Sequence, residues 1–196
     1  LTLIYSFCSG SFYFVKFYLV SMKYSILIIL TSVLSAGDIK ISCEDHLFNL
    51  YPENTDIRMN ILKLDKGVKK KVENQVKQKF YRDKLYYWTI SQGDTTIAYA
   101  FLDNVLGKSM PITFLVLLNI NGDIINTNVI KYREAYGGEV SNKGWLRQFI
   151  NRDNNSSYNI GGNIDGISGA TISVKSMSKG IQKITTLYPL IQNQLN

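Results

Sequence analysis

The chain has 196 residues, enough for one domain with a substantial core, and its 45% apolar and 19% charged content is globular and not disordered. Its net charge is +7, yet no RNP-like aromatic motif, zinc-finger spacing or arginine-rich arm accompanies that charge, so nucleic acid is set aside as a partner. Two cysteines, Cys8 and Cys43, form no C-x-x-C pair, and His46 is the single histidine, which leaves little from which to build a metal site or a Ser-His-Asp triad.

Residues 1–36 are rich in Leu, Ile, Phe, Val and Tyr and nearly free of charge, apart from Lys16 and Lys23. Read from Met22, they resemble a targeting segment. Met22-Lys23 supplies a basic start, Tyr24–Leu34 an apolar run of eleven residues, and Ser35-Ala36-Gly37 small residues for cleavage. A spanning helix needs about 20 apolar residues, so a cleavable signal is the expectation and a membrane anchor the alternative. Both readings place the folded part outside the cytoplasm, in the periplasm or against the membrane, with Met22 as the expected start and 1–21 as an over-extension.

Residues 37–84 read as an N-terminal extension, with a turn at Tyr51-Pro52-Glu53-Asn54. Val68, Val72, Val76 and Phe80 recur every four residues among many lysines, which predicts an amphipathic helix over 65–83. From Leu85 the period changes. Leu85–Ile90, Thr95–Leu102, Ile112–Asn119 and Ile124–Tyr132 read as about four antiparallel strands, with turns at Gln92-Gly93-Asp94 and Asn121-Gly122. The third of these is apolar enough to be interior. A short helix over Trp145–Ile150, a polar loop over 151–164 and a helix over Ile172–Leu187 ended by Pro189 complete the pattern. Lys175, Lys179 and Lys183 lie four apart on that helix and read as a solvated face. The expected fold is α+β: a twisted, largely antiparallel sheet with packed helices, a single domain following the N-terminal segment.

One stretch carries chemistry: Asp165-Gly166-Ile167-Ser168-Gly169-Ala170-Thr171-Ile172-Ser173. Its small residues permit close backbone approach, and it leads into a helix whose first N–H groups and positive dipole end suit a phosphate. A second reading of the same residues is an ordinary capped helix start, with Ser168, Thr171 or Ser173 as the N-cap. On the residues alone both stay open.

The D-x-x-S-G-A-T run followed by a helix resembles the flavinylation motif of the FMN-binding domain family. That family includes the C subunit of sodium-translocating NADH:quinone reductase and the G subunit of the Rnf electron-transport complex. The resemblance extends over about 85–187 through Tyr99-Ala100-Phe101, Gly107-Lys108-Ser109-Met110-Pro111-Ile112, Asn121-Gly122-Asp123, Tyr132-Arg133-Glu134 and Trp145-Leu146-Arg147-Gln148-Phe149, in family order. It implies an FMN-binding domain over 85–196, with FMN held covalently by a phosphoester on Thr171 and delivered from FAD by a flavin transferase. Around Thr171 it implies cofactor contacts from Asp165, Ser168, Gly169, Ala170 and Ser173.

Where the family places E-T-P-G-L-G beside the isoalloxazine ring, this chain has Glu134-Ala135-Tyr136-Gly137-Gly138-Glu139. Glu134 and Gly137 match, the Thr, Pro and Leu are absent, and Tyr136 offers a ring for stacking; a tight turn is the other reading of Tyr136-Gly137-Gly138. Trp145 is assigned to the core. The implied role is an electron-transfer module working with redox partner proteins at the membrane. A non-redox assembly module of the same fold, or a flavin reductase of a small substrate, are the alternatives. No dinucleotide fingerprint is present for direct nicotinamide oxidation.

Overall fold

The computed structural model describes residues 38–195, so the targeting-segment reading of 1–36 lies outside the described residues. The chain divides into two units, Leu1–Ser42 and Cys43–Asn196. Of the first, residues 38–42 are described and are helical. All that follows concerns the second unit, in which residues 43–84 and 85–196 share one body. No helix among the described residues is long and apolar enough to cross a membrane.

Five strands form one open antiparallel sheet in the order β1-β2-β3-β4-β5: Thr55–Lys63, Lys84–Gln92, Thr95–Leu106, Pro111–Asn119 and Ile124–Lys131. The four expected strands are present, and a fifth, β1, is added at the edge. Its sequence alternates polar and apolar residues from Asp56 to Ile61, and Ile61 stays exposed, because an edge strand buries little of itself. The hairpin turns fall where expected: Gly93 and Gly122 both take positive φ, at +57° and +94°. Seven consecutive residues of β4, Ile112–Leu118, are buried, since β3 and β5 flank it and both faces of the sheet are covered.

Side chains on a strand alternate between faces, so the register sorts the core in two. Tyr87, Phe101 and Val116 lie in one row across the sheet. Against that face packs the helix α4, Thr171–Ile191, through Val174, Met177, Ile181, Ile184 and Tyr188. Tyr188 meets Phe101 edge-on at 6.2 Å between ring centroids and donates its hydroxyl to the Ile120 carbonyl at 2.9 Å. Trp88, Ala100 and Leu115 belong to the opposite face. There residues 43–48 form a short helical segment, α1. Trp88 Nε1 donates to Glu44 at 3.2 Å, and the His46 ring lies between Asn126 Oδ1 at 3.0 Å and Asn128 Nδ2 at 3.1 Å. Buried Cys43 sits on this segment, and burial pushes its thiol up to about 12 with the neighbouring Glu44 adding to the effect, so it is an inert thiol.

The lysine-rich helix α2 spans Lys66–Val76, shorter than the expected 65–83. Asp65 caps its start, accepting from Gly67 N at 2.8 Å and Val68 N at 3.0 Å. Lys77 then turns left-handed at φ +58° and ends it, while Phe80, whose spacing suggested a continued helix, is buried from the following loop. Periodicity alone does not mark such a stop.

The last helix runs longer than expected. It passes through Pro189 to Ile191. Proline removes one backbone bond, but Leu187, Tyr188 and Ile191 are all buried on the core side, and that burial holds the final turn. The solvated face expected of Lys175, Lys179 and Lys183 is also corrected at Lys183. This side chain is fully buried, paired with Asp103 Oδ2 on β3 at 2.8 Å, donating to the Lys79 carbonyl at 2.8 Å and lying 4.2 Å from the centroid of the Phe80 ring.

Gly180 lets α4 approach the sheet. A Cβ there would lie 2.5 Å from Val105 Cγ1 and 2.9 Å from Phe114 Cζ. Gly180→Ala is therefore expected to destabilise by about 1–3 kcal/mol through overpacking, despite the better helix propensity of alanine. Urea midpoints of the two proteins check this.

Candidate functional site

The start of α4 is tied to two other segments that are remote in sequence. Residues 165–171 approach as a loop whose Gly169 takes φ +79°, and the Ala170 N–H closes back onto the Ile167 carbonyl at 3.1 Å. A Cβ on Gly169 would meet nothing within 4 Å, so its glycine serves backbone conformation and leaves open space in front of the helix.

Ala170 is the N-cap, at φ −114° and ψ 21°, and no side chain caps the helix. The expectation that Ser168, Thr171 or Ser173 serves as a conventional cap is thereby overturned. The first N–H groups of a 21-residue helix face the loop without side-chain acceptors, and they carry the positive end of its dipole. Thr171 is exposed at the first helical position and Ser168 is exposed three residues earlier.

Ser173, by contrast, is buried, and its Oγ lies 3.1 Å from the Tyr132 hydroxyl. Tyr132 has one hydroxyl proton and donates it to the Tyr136 carbonyl, so Ser173 is the donor to Tyr132. This relay binds the stretch after β5 to the first turn of α4. Gly137 lies in the same contact. At φ +82°, with a would-be Cβ 2.8 Å from Tyr132 Oη and 2.9 Å from Ser173 Oγ, it tolerates no side chain. Gly137→Ala is expected to cost about 1–3 kcal/mol and to push this stretch away from α4; a thermal melt reads the first effect. The next residue back, Tyr136, is 86% exposed, and its carbonyl is the one that Tyr132 holds.

Glu134 is held at the turn before β4. Its carboxylate accepts from the backbone N–H groups of Ser109 and of Met110, the latter at 2.8 Å, and these bonds hold it below the usual carboxylate range. Gly107 packs against the same carboxylate. Glu134 thus fastens the 107–111 turn to the segment carrying Tyr136 and Gly137.

Asp165 is exposed, while both of its backbone groups are held: its carbonyl by Trp145 Nε1 at 2.8 Å and its N–H by Gln148 Oε1 at 2.8 Å. Trp145 is otherwise a core residue, edge-on to Phe149 at 5.1 Å. It stands on α3, Lys143–Leu146, which passes into a 3-10 turn, Arg147–Phe149, in place of the single helix expected over 145–150. Lys175 is exposed one turn beyond Thr171.

Of the sequence-derived candidates, Asp165, Ser168, Gly169, Ala170, Thr171 and Ser173 thus follow one another into α4, and Tyr136 and Gly137 are brought to them by the fold. Glu134 is linked one step further away. Tyr132 and Gln148, which organise the site, carry no local signal of a role; only the tertiary hydrogen bonds single them out.

These residues fit a flavin phosphate in kind: an uncapped helix start, an exposed hydroxyl on its first residue and open space at Gly169 before it, with exposed Tyr136 on the segment tied to its first turn. Comparison with known families agrees. The FMN-binding domain family model matches residues 107–186, from the Glu134-fastened turn to most of α4, a narrower stretch at its start than the sequence resemblance covers. No curated protein matches the chain.

Proposed function

From the premise that this chain belongs, through residues 107–186, to the FMN-binding domain family, we propose that it carries FMN as a phosphoester on Thr171 and serves as an electron-transfer module outside the cytoplasm. The observation that carries the attachment reading is the exposed hydroxyl of Thr171 on the first turn of a helix that no side chain caps. In the attachment step the Thr171 oxygen bonds to the flavin-side phosphorus of FAD, the phosphoric anhydride bond breaks, AMP leaves and the hydroxyl proton passes to a base of the transferase.

Bound FMN supplies one- and two-electron redox chemistry, and the protein's part is to hold and orient it. Thr171 anchors the phosphate, and the first N–H groups of α4 offer it donors. Tyr136 offers a stacking surface, and the Tyr132–Ser173 relay fixes that surface relative to the anchor. A covalent link suits an exported domain, since no free flavin pool replaces a lost cofactor there. The apolar run before residue 37, read as a signal or anchor, supports export, and the working partners are then a flavin transferase and redox proteins at the membrane.

Co-expression with a flavin transferase tests the reading. The purified protein is expected to give a fluorescent band on a denaturing gel. A colourless band from a host whose transferase labels a control acceptor contradicts it and favours a non-redox module.

A further inference from the structure

The loop 151–164 is rich in Asn, Gly and Ser, a composition that on its own leaves the backbone free to sample many conformations. Tyr158 and Ile164 enter the core, but the polar remainder has few apolar contacts to fix it. Side-chain hydrogen bonds hold it instead: Asp153, Ser156 and Tyr158 bond within its first half, and Arg152 ties it to the preceding turn. Arg152 donates from Nε to the Gln148 carbonyl at 2.7 Å, from Nη1 to the Ser157 carbonyl at 2.7 Å and from Nη2 to the Asn163 carbonyl at 2.6 Å. Its rigid fork thereby ties the middle and the far end of the loop to the 3-10 turn.

Gln148 then receives the Asp165 N–H, and Trp145 Nε1 donates to the Asp165 carbonyl. Gln148 Nε2 also donates to the Trp145 carbonyl at 3.2 Å, which fixes which end of its amide faces Asp165. Both backbone groups of Asp165 are thus occupied, and its exposed side chain stands at the head of the segment that ends on Thr171.

We propose that Trp145, Gln148 and Arg152 are positioning residues for flavin attachment: they present Asp165–Thr171 to the transferase as a preformed segment. This rests on the attachment reading above. The physical consequence is a population effect. A transferase that accepts one loop shape sees an apparent affinity reduced by the fraction of molecules in that shape, so freeing Asp165 raises KM for the acceptor protein while leaving kcat near its original value. A residue that merely supported the fold would instead lower the melting temperature.

The test uses the full-length protein as acceptor, with purified flavin transferase and FAD. Gln148→Leu removes the acceptor of the Asp165 N–H at similar volume, and Gln148→Glu restores an oxygen there. The expected result for Gln148→Leu is a KM raised about tenfold at near-constant kcat and unchanged melting temperature, with faster amide hydrogen exchange in 160–168 and recovery in Gln148→Glu. Should Gln148→Leu lower the melting temperature, Arg152→Lys, which keeps the charge and loses the fork that spans the Ser157 and Asn163 carbonyls, carries the same comparison. Labelling of the unsubstituted protein together with an unchanged KM in the variant overturns the positioning role alone. Failure of the unsubstituted protein to be labelled overturns the attachment reading and this proposal with it.

Discussion

Thr171→Ala is expected to leave a folded protein with no flavin that survives denaturation, a complete loss and not a graded one. Three hydroxyls stand near the start of α4, and the structure separates them. Ser173 is buried and donates to Tyr132, so its oxygen faces away from an approaching phosphorus. Ser168 is exposed but belongs to the loop, one residue before the left-handed Gly169. Thr171 alone is both exposed and on the helix, where a phosphate bonded to it meets the free N–H groups. Ser168→Ala is therefore expected to retain the label, and Thr171→Ser to retain it at a reduced rate. In-gel fluorescence of the three variants, each co-expressed with transferase, checks the assignment. The Thr171→Ala substitution is also expected to leave the melting temperature of unlabelled protein nearly unchanged, because the side chain is exposed and caps nothing.

The second large effect is one of stability. Lys183→Met is expected to cost about 3–5 kcal/mol, because it leaves the Asp103 carboxylate buried without its counter-charge. The pair has one partner on α4 and one on β3, and the same ammonium also holds the carbonyl of Lys79 beyond α2. It therefore joins three elements, and through α4 it fixes the helix that carries Thr171. Replacing both partners, as Lys183→Met with Asp103→Leu, is expected to recover most of the loss.

The sign of the pH dependence follows from the cause of the shift. Burial raises the Asp103 carboxyl above its usual range, and Lys183 opposes that rise. In Lys183→Met the opposing charge is gone, so the folded protein holds a proton on Asp103 to higher pH than the unfolded chain does. Such a group loses stability as pH rises through its folded value and regains it as pH falls toward the unfolded one. The deficit of the variant is thus expected to be largest at pH 8 and to shrink at pH 5, by urea midpoints at the two values.

Much of this was legible in the sequence, and what was not has identifiable causes. The four strands from Leu85 onward and their turns were readable because alternation and Asn-Gly chemistry are local signals. β1 carries the same signal, since Ile57, Met59 and Ile61 alternate with Asp56, Arg58 and Asn60, but it stands apart from the other strands, before the lysine-rich helix, and reads as part of an extension. The end of α2 was hidden by Phe80, which keeps the helical spacing from a non-helical loop. Lys183 was misread as solvated because its partner, Asp103, is 80 residues away and no periodicity reports a buried pair. At the site, the run from Asp165 to Thr171 was visible, but its choice between a capped helix and an anion cradle was not. That choice depended on whether a side chain turns back to cap α4, which is a matter of three-dimensional geometry. The roles of Glu134, Tyr132 and Gln148 are likewise long-range, each joining segments that the chain order separates.

One hydroxyl, that of Thr171, is proposed to bear the flavin. Trypsin cleaves after Arg152 and Lys175 and releases residues 153–175 as one peptide containing Ser156, Ser157, Ser168, Thr171 and Ser173. Mass spectrometry of that peptide, from protein co-expressed with a flavin transferase, reads the claim most directly. The expected peptide is heavier by FMN less one water, with fragment ions that place the added mass on Thr171. An unmodified peptide, or the same mass on Ser168 or Ser173, contradicts it.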